Sequence, residues 1–225
     1  MKLIVVVVVL LVYVVAMIVE SQGDDNKYLL DVKLPPLADR DEDRELGKIS
    51  QYIWQSYGID DIYRFKVRGE PRAIVVVTAR SGCSWNWLTY RYVKIGADFS
   101  VTTLYDGESL ADDLGVTNTL QGNGPSSFSD SNLYFIEVTF APGKTTPTAL
   151  NSLTQQILRL RADLLNQDKE LAFYKVLGQV PARILIFANL LPSKADSLYT
   201  TFSCTDGCSM KLTAIQSLRD YVEDC

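Results

Sequence analysis

Tyr28-Leu-Leu-Asp-Val-Lys-Leu-Pro-Pro36 is followed, 106 residues later, by the similar stretch Tyr134-Phe-Ile-Glu-Val-Thr-Phe-Ala-Pro142. The two stretches are identical or closely similar at seven of nine positions. Apolar residues alternate with other residues in both of them, which is typical of a β-strand with one buried face. The chain therefore contains two related strands, and the residues around them show whether the rest of each half is related too.

Two further matches occur in the same order along the chain. Phe65-Lys-Val-Arg-Gly69 resembles Tyr174-Lys-Val-Leu-Gly178 at an offset of 109, and Val101-Thr-Thr-Leu104 resembles Leu212-Thr-Ala-Ile215 at an offset of 111. Three matches whose offsets drift only slightly favour a tandem duplication.

Each half also carries a helical pattern between its first two strands. Apolar residues recur every three or four positions from Leu46 to Tyr57 and from Leu150 to Leu164. The less regular segments 84–95 and 193–202 are candidate second helices. Each half is therefore expected to follow the order β-α-β-β-α-β, the ferredoxin-like motif, with its helices on one face of an antiparallel sheet. The predicted fold class is α+β.

The boundaries follow from these matches. Residues 28–114 form the first predicted repeat and residues 133–225 the second. Residues 115–132 are rich in Gly, Ser and Asn, which predicts a polar linker.

The N-terminal residues are expected not to belong to the fold. Lys2 precedes an apolar run from Leu3 to Val19, and this pattern predicts a secretory signal peptide over residues 1–21. The alternative is an uncleaved anchor, for which seventeen residues is short. We expect a secreted, extracellular protein without stable membrane insertion after cleavage.

The four cysteines are Cys83, Cys204, Cys208 and Cys225. An even number of cysteines in an exported chain predicts two disulfides, for which three connectivities exist. The short spacing favours Cys204 with Cys208, which leaves Cys83 for Cys225. A zinc site is the alternative, but the chain has no histidine and only one close cysteine pair, so no metal is expected.

The charge and the missing histidine exclude several functions. The net charge of −5 argues against a nucleic-acid partner, which would require a basic face. The absence of histidine removes the most common general base and the base of Ser-His and Cys-His nucleophile pairs.

The repeat resembles the dimeric α+β barrel superfamily, and within it the muconolactone-isomerase-like group. The resemblance is carried by Val32-Lys-Leu-Pro35 before the helix and by Tyr63-Arg-Phe-Lys-Val-Arg-Gly69 before the third strand. In that superfamily two sheets pack face to face, usually from two chains. The resemblance thus implies that a tandem copy forms one barrel within a monomer that has an internal pseudo-twofold axis.

The members of that superfamily include cofactor-free monooxygenases, isomerases, lyases, haem enzymes and non-catalytic proteins, so the fold does not define the function. A haem-binding member would normally use histidine as the axial ligand, and this chain has none. No cofactor is therefore expected. The resemblance identifies no catalytic residue in this chain.

Two pairs of charged residues occupy equivalent strand positions in the repeat: Asp31 with Glu137, and Lys66 with Lys175. If the faces carrying Asp31 and Glu137 turn inward, buried carboxylates there would have raised pKa values and could transfer protons. The alternative is that these residues form cross-strand ion pairs. They are the candidate catalytic residues.

Four aromatic residues, Trp85, Trp87, Tyr90 and Tyr92, form a cluster in the first half. They could line an apolar pocket in which tyrosine hydroxyls hold the polar end of a ligand. The alternative is ordinary packing against the sheet.

The missing histidine and the aromatic cluster favour a secreted protein that binds a small, largely apolar molecule. The superfamily resemblance supports the alternative of a cofactor-free isomerase, lyase or monooxygenase. A further alternative is an extracellular structural or interaction protein, and whether the chain is an enzyme stays open.

Overall fold

Eight strands alternate with six helices in the part of the chain that the computed structural model describes. The described residues are 26–80, 82–116, 124–128, 132–202 and 207–223, and the side chains of residues 82–84, 201 and 223 are not described. The predicted signal peptide, Cys204, Cys225 and the side chain of Cys83 therefore lie outside the described part. The disulfide pairing stays a prediction.

The first half contains four strands and three helices. They are β1 (Asn26–Lys33), α1 (Glu42–Trp54), β2 (Ile59–Val67), β3 (Arg72–Ala79), α2 (Gly82–Lys94), β4 (Asp98–Asp106) and α3 (Gly107–Asp113). Helix α1 begins after Asp41, whose side chain accepts a hydrogen bond of 3.1 Å from the amide of Arg44. This is the usual way in which an N-cap satisfies a free amide of the first turn.

The second half follows the same order. Its elements are β5 (Leu133–Phe140), α4 (Pro147–Leu165), β6 (Leu171–Val176), β7 (Arg183–Asn189), α5 (Pro192–Thr201), β8 (Cys208–Ser217) and α6 (Leu218–Glu223). Helix α4 begins with Pro147 after the N-cap Thr146, whose hydroxyl accepts from the amide of Ala149 at 3.1 Å.

The strands close into one antiparallel barrel in the order β1-β3-β2-β8-β5-β7-β6-β4. Each half contributes four neighbouring strands, in the order β4-β1-β3-β2 and β8-β5-β7-β6. The halves join through β2 with β8 and through β4 with β6. The predicted α+β class and the ferredoxin-like order of elements agree with this architecture. A gene duplication as its origin stays a prediction.

Apolar side chains fill three layers. One cluster lies inside the barrel and includes Phe65, Phe135 and Phe187, whose rings stack with centroids 5.0–5.2 Å apart. Two further clusters lie outside it, one between the first-half strands and their helices and one between the second-half strands and theirs. Because alternate residues of a strand point to opposite faces, the inner and outer clusters are made by neighbouring residues of the same strands.

Two short helices were not expected from the sequence. Helix α3 follows β4 and packs against α4 and β6 of the second half, whereas α6 follows β8 and packs against α1 and β2 of the first half. Each half therefore places a short helix on the other.

Among the described helices, none is both long enough and apolar enough to cross a lipid bilayer.

Candidate functional site

An ion pair lies where β1 begins and β4 ends. The ammonium group of Lys27 donates to Oδ2 of Asp106, 79 residues along the chain. The same ammonium lies 5.8 Å from the ring centroid of Tyr174, on the neighbouring strand β6. Both charged side chains are about one-third exposed, so the pair can be reached from solvent.

The first turn of α3 supplies the next groups. Oδ1 of Asp106 accepts a hydrogen bond of 2.9 Å from the amide of Glu108 and caps the helix. Oε1 of Glu108 lies 2.6 Å from Nη1 of Arg161, a buried residue of α4 in the other half. Gly107 lies so close to β6 that an added Cβ would be 2.5 Å from the carbonyl oxygen of Phe173. A side chain at this position would push α3 away from the barrel.

Two buried phenols lie beside the ion pair. The hydroxyl of Tyr63 donates to the carbonyl oxygen of Pro125, and it also shares a hydrogen bond with the hydroxyl of Tyr174. Tyr63 donates its one proton to the carbonyl oxygen of Pro125. In the second bond Tyr63 must therefore be the acceptor and Tyr174 the donor. Proton donation therefore runs from Tyr174 to Tyr63 to Pro125.

Burial keeps both phenols neutral. Loss of hydration raises the pKa of Tyr63 from 10.0 to about 12, and the nearby charge of Asp106 acts in the same direction. Burial also raises the pKa of Tyr174, and Tyr63 and Asp106 add to this effect. Both groups are therefore hydrogen-bond donors at neutral pH and not bases.

Lys27, Asp106 and Glu108 line a cleft of about 680 Å³. Its lining combines charged, polar and apolar residues, among them Lys27, Thr78, Leu104, Asp106, Glu108 and Gly124. A much smaller pocket of about 10 Å³ adjoins it and contains Arg161 and Tyr174. The cleft is large enough for a small organic molecule, which would meet both charges of the Lys27–Asp106 pair.

The charged junction occurs in only one of the two halves. Asp106 faces Tyr174 across the β4–β6 pair, and the corresponding residue in the other half is Ser217, which faces Phe65 across the β2–β8 pair. Lys27 corresponds to Leu133 in the same comparison. The ionic groups are thus not required by the fold itself, because the second junction forms without them.

The candidate carboxylates Asp31 and Glu137 point into the barrel, since each follows an interior residue, Leu29 or Phe135, by two positions and therefore lies on the same strand face. Asp31 accepts two hydrogen bonds of 2.7 Å from Arg72. The carboxylate of Glu137 lies 3.5 Å from Nη1 of Arg183.

These two pairs have the geometry of cross-strand ion pairs, the alternative considered above. The hydrogen bond with Asp31 raises the pKa of Arg72, and the charge of Glu137 contributes to the same shift. A role for either carboxylate in proton transfer stays a prediction.

The candidate lysines lie on the opposite face. Lys66 follows the interior residue Phe65 and therefore points outward, where its ammonium donates to the carbonyl oxygens of Val67 and Glu70 at 3.3 Å and lies 4.6 Å from the ring of Tyr221. Lys175 follows the interior residue Tyr174 and also points outward. The barrel wall therefore separates the lysines from Asp31 and Glu137.

The four aromatic residues lie on α2, outside the barrel. Trp85 packs edge-on against Tyr28 at 5.0 Å. Trp87 lies against Tyr52 and under the guanidinium of Arg91.

Tyr92 is fully buried, whereas Tyr90 is 64% exposed. The four side chains thus face different neighbours around the helix and do not converge on one pocket.

The residues of the cleft were not identified from the sequence. Lys27 and Asp106 lie outside the quoted matches, and Arg161 lies within the predicted helix of the second half. One signal was available: the aligned halves differ at Asp106 and Ser217 and at Lys27 and Leu133, where a charge replaces a neutral residue.

No family model matches the chain, and no curated protein matches its sequence. Solved structures do match. A variant chlorite dismutase from Candidatus Nitrospira defluvii in complex with cyanide has a TM-score of 0.54 at 13% identity, over 90% of this chain and 95% of that chain. The chain has the ferredoxin-like α+β barrel fold.

A second similar structure is that of a protein described as a monooxygenase from Lactobacillus acidophilus. It has a TM-score of 0.52 at 9% identity, over 86% of this chain and 94% of that chain. At such identities the likeness concerns the fold alone, and the particular likeness to muconolactone isomerases stays a prediction.

The described residues do not fit a haem, the cofactor that the resemblance to the dimeric α+β barrel superfamily raises. The chain has no histidine to hold the iron. Phe65 and Phe187 fill the barrel interior with their neighbours, and packed leucines and isoleucines fill the layers between the sheet and the helices.

Proposed function

We propose that this protein is a cofactor-independent enzyme of the α+β barrel type that moves a proton next to a carbonyl group, as an isomerase or a lyase. One observation carries the proposal: Asp106, a reachable carboxylate, lines a cleft of substrate size, and its charge acts on two neutral phenols, Tyr63 and Tyr174, just behind the cleft wall. A carboxylate base combined with phenol donors is an established arrangement for forming and stabilising an enolate.

The chemistry needs no redox partner. Asp106 takes a proton from the carbon next to the carbonyl, and the electron pair of that C–H bond moves to the carbonyl oxygen. Tyr63 donates a hydrogen bond to the resulting enolate oxygen, and Tyr174 supports it by donating to the hydroxyl of Tyr63. Asp106 then returns the proton to a different carbon, which gives an isomer, or the enolate expels a leaving group, which gives an elimination product.

Lys27 and Glu108 position the base. The ammonium of Lys27 and the amide of Glu108 hold one oxygen each of the Asp106 carboxylate. Arg161 anchors Glu108 to the second half. The carboxylate is therefore held in a fixed orientation at the wall of the cleft. This preorganisation lowers the entropic cost of reaching a reactive geometry.

The similar structures support an enzyme of this fold in general, since one is a chlorite dismutase and the other is described as a monooxygenase. Proton transfer is favoured over oxygenation because a carboxylate base lines the cleft and neutral phenol donors lie beside it. Binding of an apolar ligand by the α2 aromatics has less support, because those side chains do not share a pocket.

We also propose that the chain is exported after removal of residues 1–21, with disulfides between Cys204 and Cys208 and between Cys83 and Cys225. A monomer is expected, since the barrel is closed within one chain. The correspondence of its two halves is best explained by tandem duplication.

Solvent deuterium exchange tests the proposed chemistry without knowledge of the natural substrate. The protein is incubated in D₂O with a panel of small ketones and lactones, and proton NMR follows the loss of the signals next to the carbonyl. The proposal predicts catalysed exchange for a subset of the panel. Asp106→Asn should reduce its rate by at least about a hundredfold, since general-base catalysis contributes factors of this order.

The asparagine can still cap α3, so Asp106→Asn should fold normally. The matched control is Asp60→Asn, which removes a carboxylate from an exposed ion pair with Arg80. Unchanged exchange in the Asp106 variant would remove this residue from the mechanism. The absence of exchange over the whole panel would contradict the proposed reaction.

A further inference from the structure

Residues 124–128 form a short segment that packs on the aromatic interior of the barrel through Phe128. A Cβ added to Gly124 would lie 3.4 Å from the hydroxyl of Tyr63 and 3.7 Å from Cβ of Ala172. The backbone of the segment therefore touches the same phenol that the proposed reaction uses.

The segment accepts the hydrogen bond that the hydroxyl of this phenol donates. The carbonyl oxygen of Pro125 accepts the proton of Tyr63. A substrate carbonyl that is to receive this hydrogen bond must replace Pro125, because one hydroxyl has only one proton to donate.

The segment also inserts an aromatic ring. The centroid of Phe128 lies 5.0 Å from that of Tyr63 and 5.7 Å from that of Phe65, both edge to face. Phe128 is only half-buried, and it packs on the interior cluster. Its ring thus lies at a place that an aromatic ring of a ligand could reach from solvent.

Within the described residues, one hydrogen bond to Pro125 and the ring of Phe128 attach the segment to the barrel. The described strands and helices form no backbone hydrogen bonds with residues 124–128. Such a segment can be replaced by a molecule that offers the same two groups.

We propose that residues 124–128 act as an internal ligand, and that the site beneath them binds small aryl carbonyl compounds whose carbonyl replaces that of Pro125 on Tyr63 and whose ring replaces Phe128. This inference rests on the proposed function for the reaction that follows binding. It adds the substrate class, a carbonyl separated by a short chain from an aromatic ring, and an autoinhibitory contact that the substrate must displace.

Benzylacetone is a suitable probe, because its ring and its carbonyl are joined by two methylene groups. Butylbenzene has nearly the same shape without the acceptor. Binding of both to the whole protein is measured by isothermal titration calorimetry. Phe128→Ala should tighten binding of benzylacetone by about tenfold, since it removes the competing ring and raises the fraction of open sites.

Phe99→Ala is the matched control, because Phe99 is also half-buried but packs against Tyr92 on the outer face of the barrel. It should leave the affinity unchanged. Adding Tyr63→Phe to Phe128→Ala should abolish the preference for benzylacetone over butylbenzene, since the donor to the carbonyl is lost.

A measurement on the unmodified protein tests the inference even if these variants misfold. In a sample with labelled Phe and Tyr, the nuclear Overhauser effects between the rings of Phe128 and Tyr63 should disappear as benzylacetone is added. Persistent effects at saturation, or an unchanged affinity in Phe128→Ala, would overturn the inference.

Failure of the inference and failure of the proposed function give different results. Tighter binding in Phe128→Ala without deuterium exchange would support the internal ligand and contradict the reaction. Exchange that depends on Asp106 but not on Phe128 would support the reaction and contradict the internal ligand.

Discussion

The guanidinium of Arg72 donates from Nε and Nη2 to the two carboxylate oxygens of Asp31, at 2.7 Å each. The pair joins β1 to β3 on the inner face of the barrel and is mostly buried. Glu137 and Arg183 occupy the corresponding positions in the other half, but at 3.5 Å and with a single contact. The two-point contact is stronger than a single one, because charge-assisted hydrogen bonds depend on distance and alignment.

The two carboxylates should therefore differ in their effect on stability. Asp31→Asn should lower the free energy of unfolding by about 1–3 kcal/mol, because it leaves the buried guanidinium of Arg72 without its counter-charge. Glu137→Gln should cost less than about 1 kcal/mol. Urea unfolding measures both, with the exposed Asp60→Asn as the control. Equal losses of unfolding free energy in the two variants would show that the second hydrogen bond of Arg72 does not contribute to stability.

Asp31 also shows which features of the structure could be predicted from the sequence. Its strand, its inward face and its equivalence to Glu137 follow from alternation and from the repeat, both of which are local patterns. Its partner Arg72 depends on the register between β1 and β3, which places Arg72 opposite Lys33. No local pattern contains that register, so ion pairs could be considered but the partners could not be assigned.

The cleft was harder to predict for the same reason. Lys27 and Asp106 meet only because β1 and β4 are neighbours in the closed barrel. Helix α3 is seven residues long, too short for an apolar period to stand out, and it is stabilised by its contacts with the other half. The strands and long helices were predictable because they carry repeated patterns of burial.

Alkaline pH should destabilise the protein through its buried phenols. The pKa of Tyr63 is about 12 in the folded state and 10.0 when unperturbed. Below pH 10 both states are neutral, so the full stability is present. As the pH rises from about 10 to about 12, the unfolded state releases the proton first and becomes favoured, at a cost of the order of 2 kcal/mol.

Urea unfolding over this pH range, together with tyrosinate absorbance, measures the effect. Tyr63→Phe should make the alkaline loss of stability shallower, because one of the groups responsible has been removed. Burial also raises the pKa of Tyr92 and Tyr174, so some loss should remain. An identical pH dependence with and without Tyr63 would contradict the assignment.

Tyr92→Phe should stabilise the protein. The hydroxyl of Tyr92 is buried and has no hydrogen-bond partner among the described residues, while its ring packs against Phe99 at 5.3 Å. Removing an unsatisfied hydroxyl and keeping the ring should raise the free energy of unfolding by about 1 kcal/mol.

Tyr63→Phe makes the matched comparison, because its hydroxyl takes part in two hydrogen bonds. At neutral pH it should lower the free energy of unfolding by about 1–2 kcal/mol. Opposite signs for Tyr63 and Tyr92 are the expected result of urea unfolding, and a loss of similar size at both positions would indicate an unrecognised partner for Tyr92.

Gly107→Ala should disrupt the junction between α3 and the barrel. The added Cβ would lie 2.5 Å from the carbonyl oxygen of Phe173 and 2.6 Å from two of its ring carbons. Because one of these neighbours is a backbone atom of β6, the helix has to move, and we expect a loss of about 1–3 kcal/mol in the free energy of unfolding. Deuterium exchange should fall as well, since Asp106 and Glu108 flank the displaced residue.

Gly47→Ala is the control for the same chemical change in another helix. There the added Cβ meets only methyl groups of Val222, the nearer at 3.3 Å, and the helical backbone gains up to about 1 kcal/mol from the better propensity of alanine. Its stability should be unchanged or raised, and its exchange rate should equal that of the unmodified protein. If both variants unfold alike while only Gly107→Ala loses exchange, the close approach of α3 to β6 serves the orientation of Asp106 more than the stability of the fold.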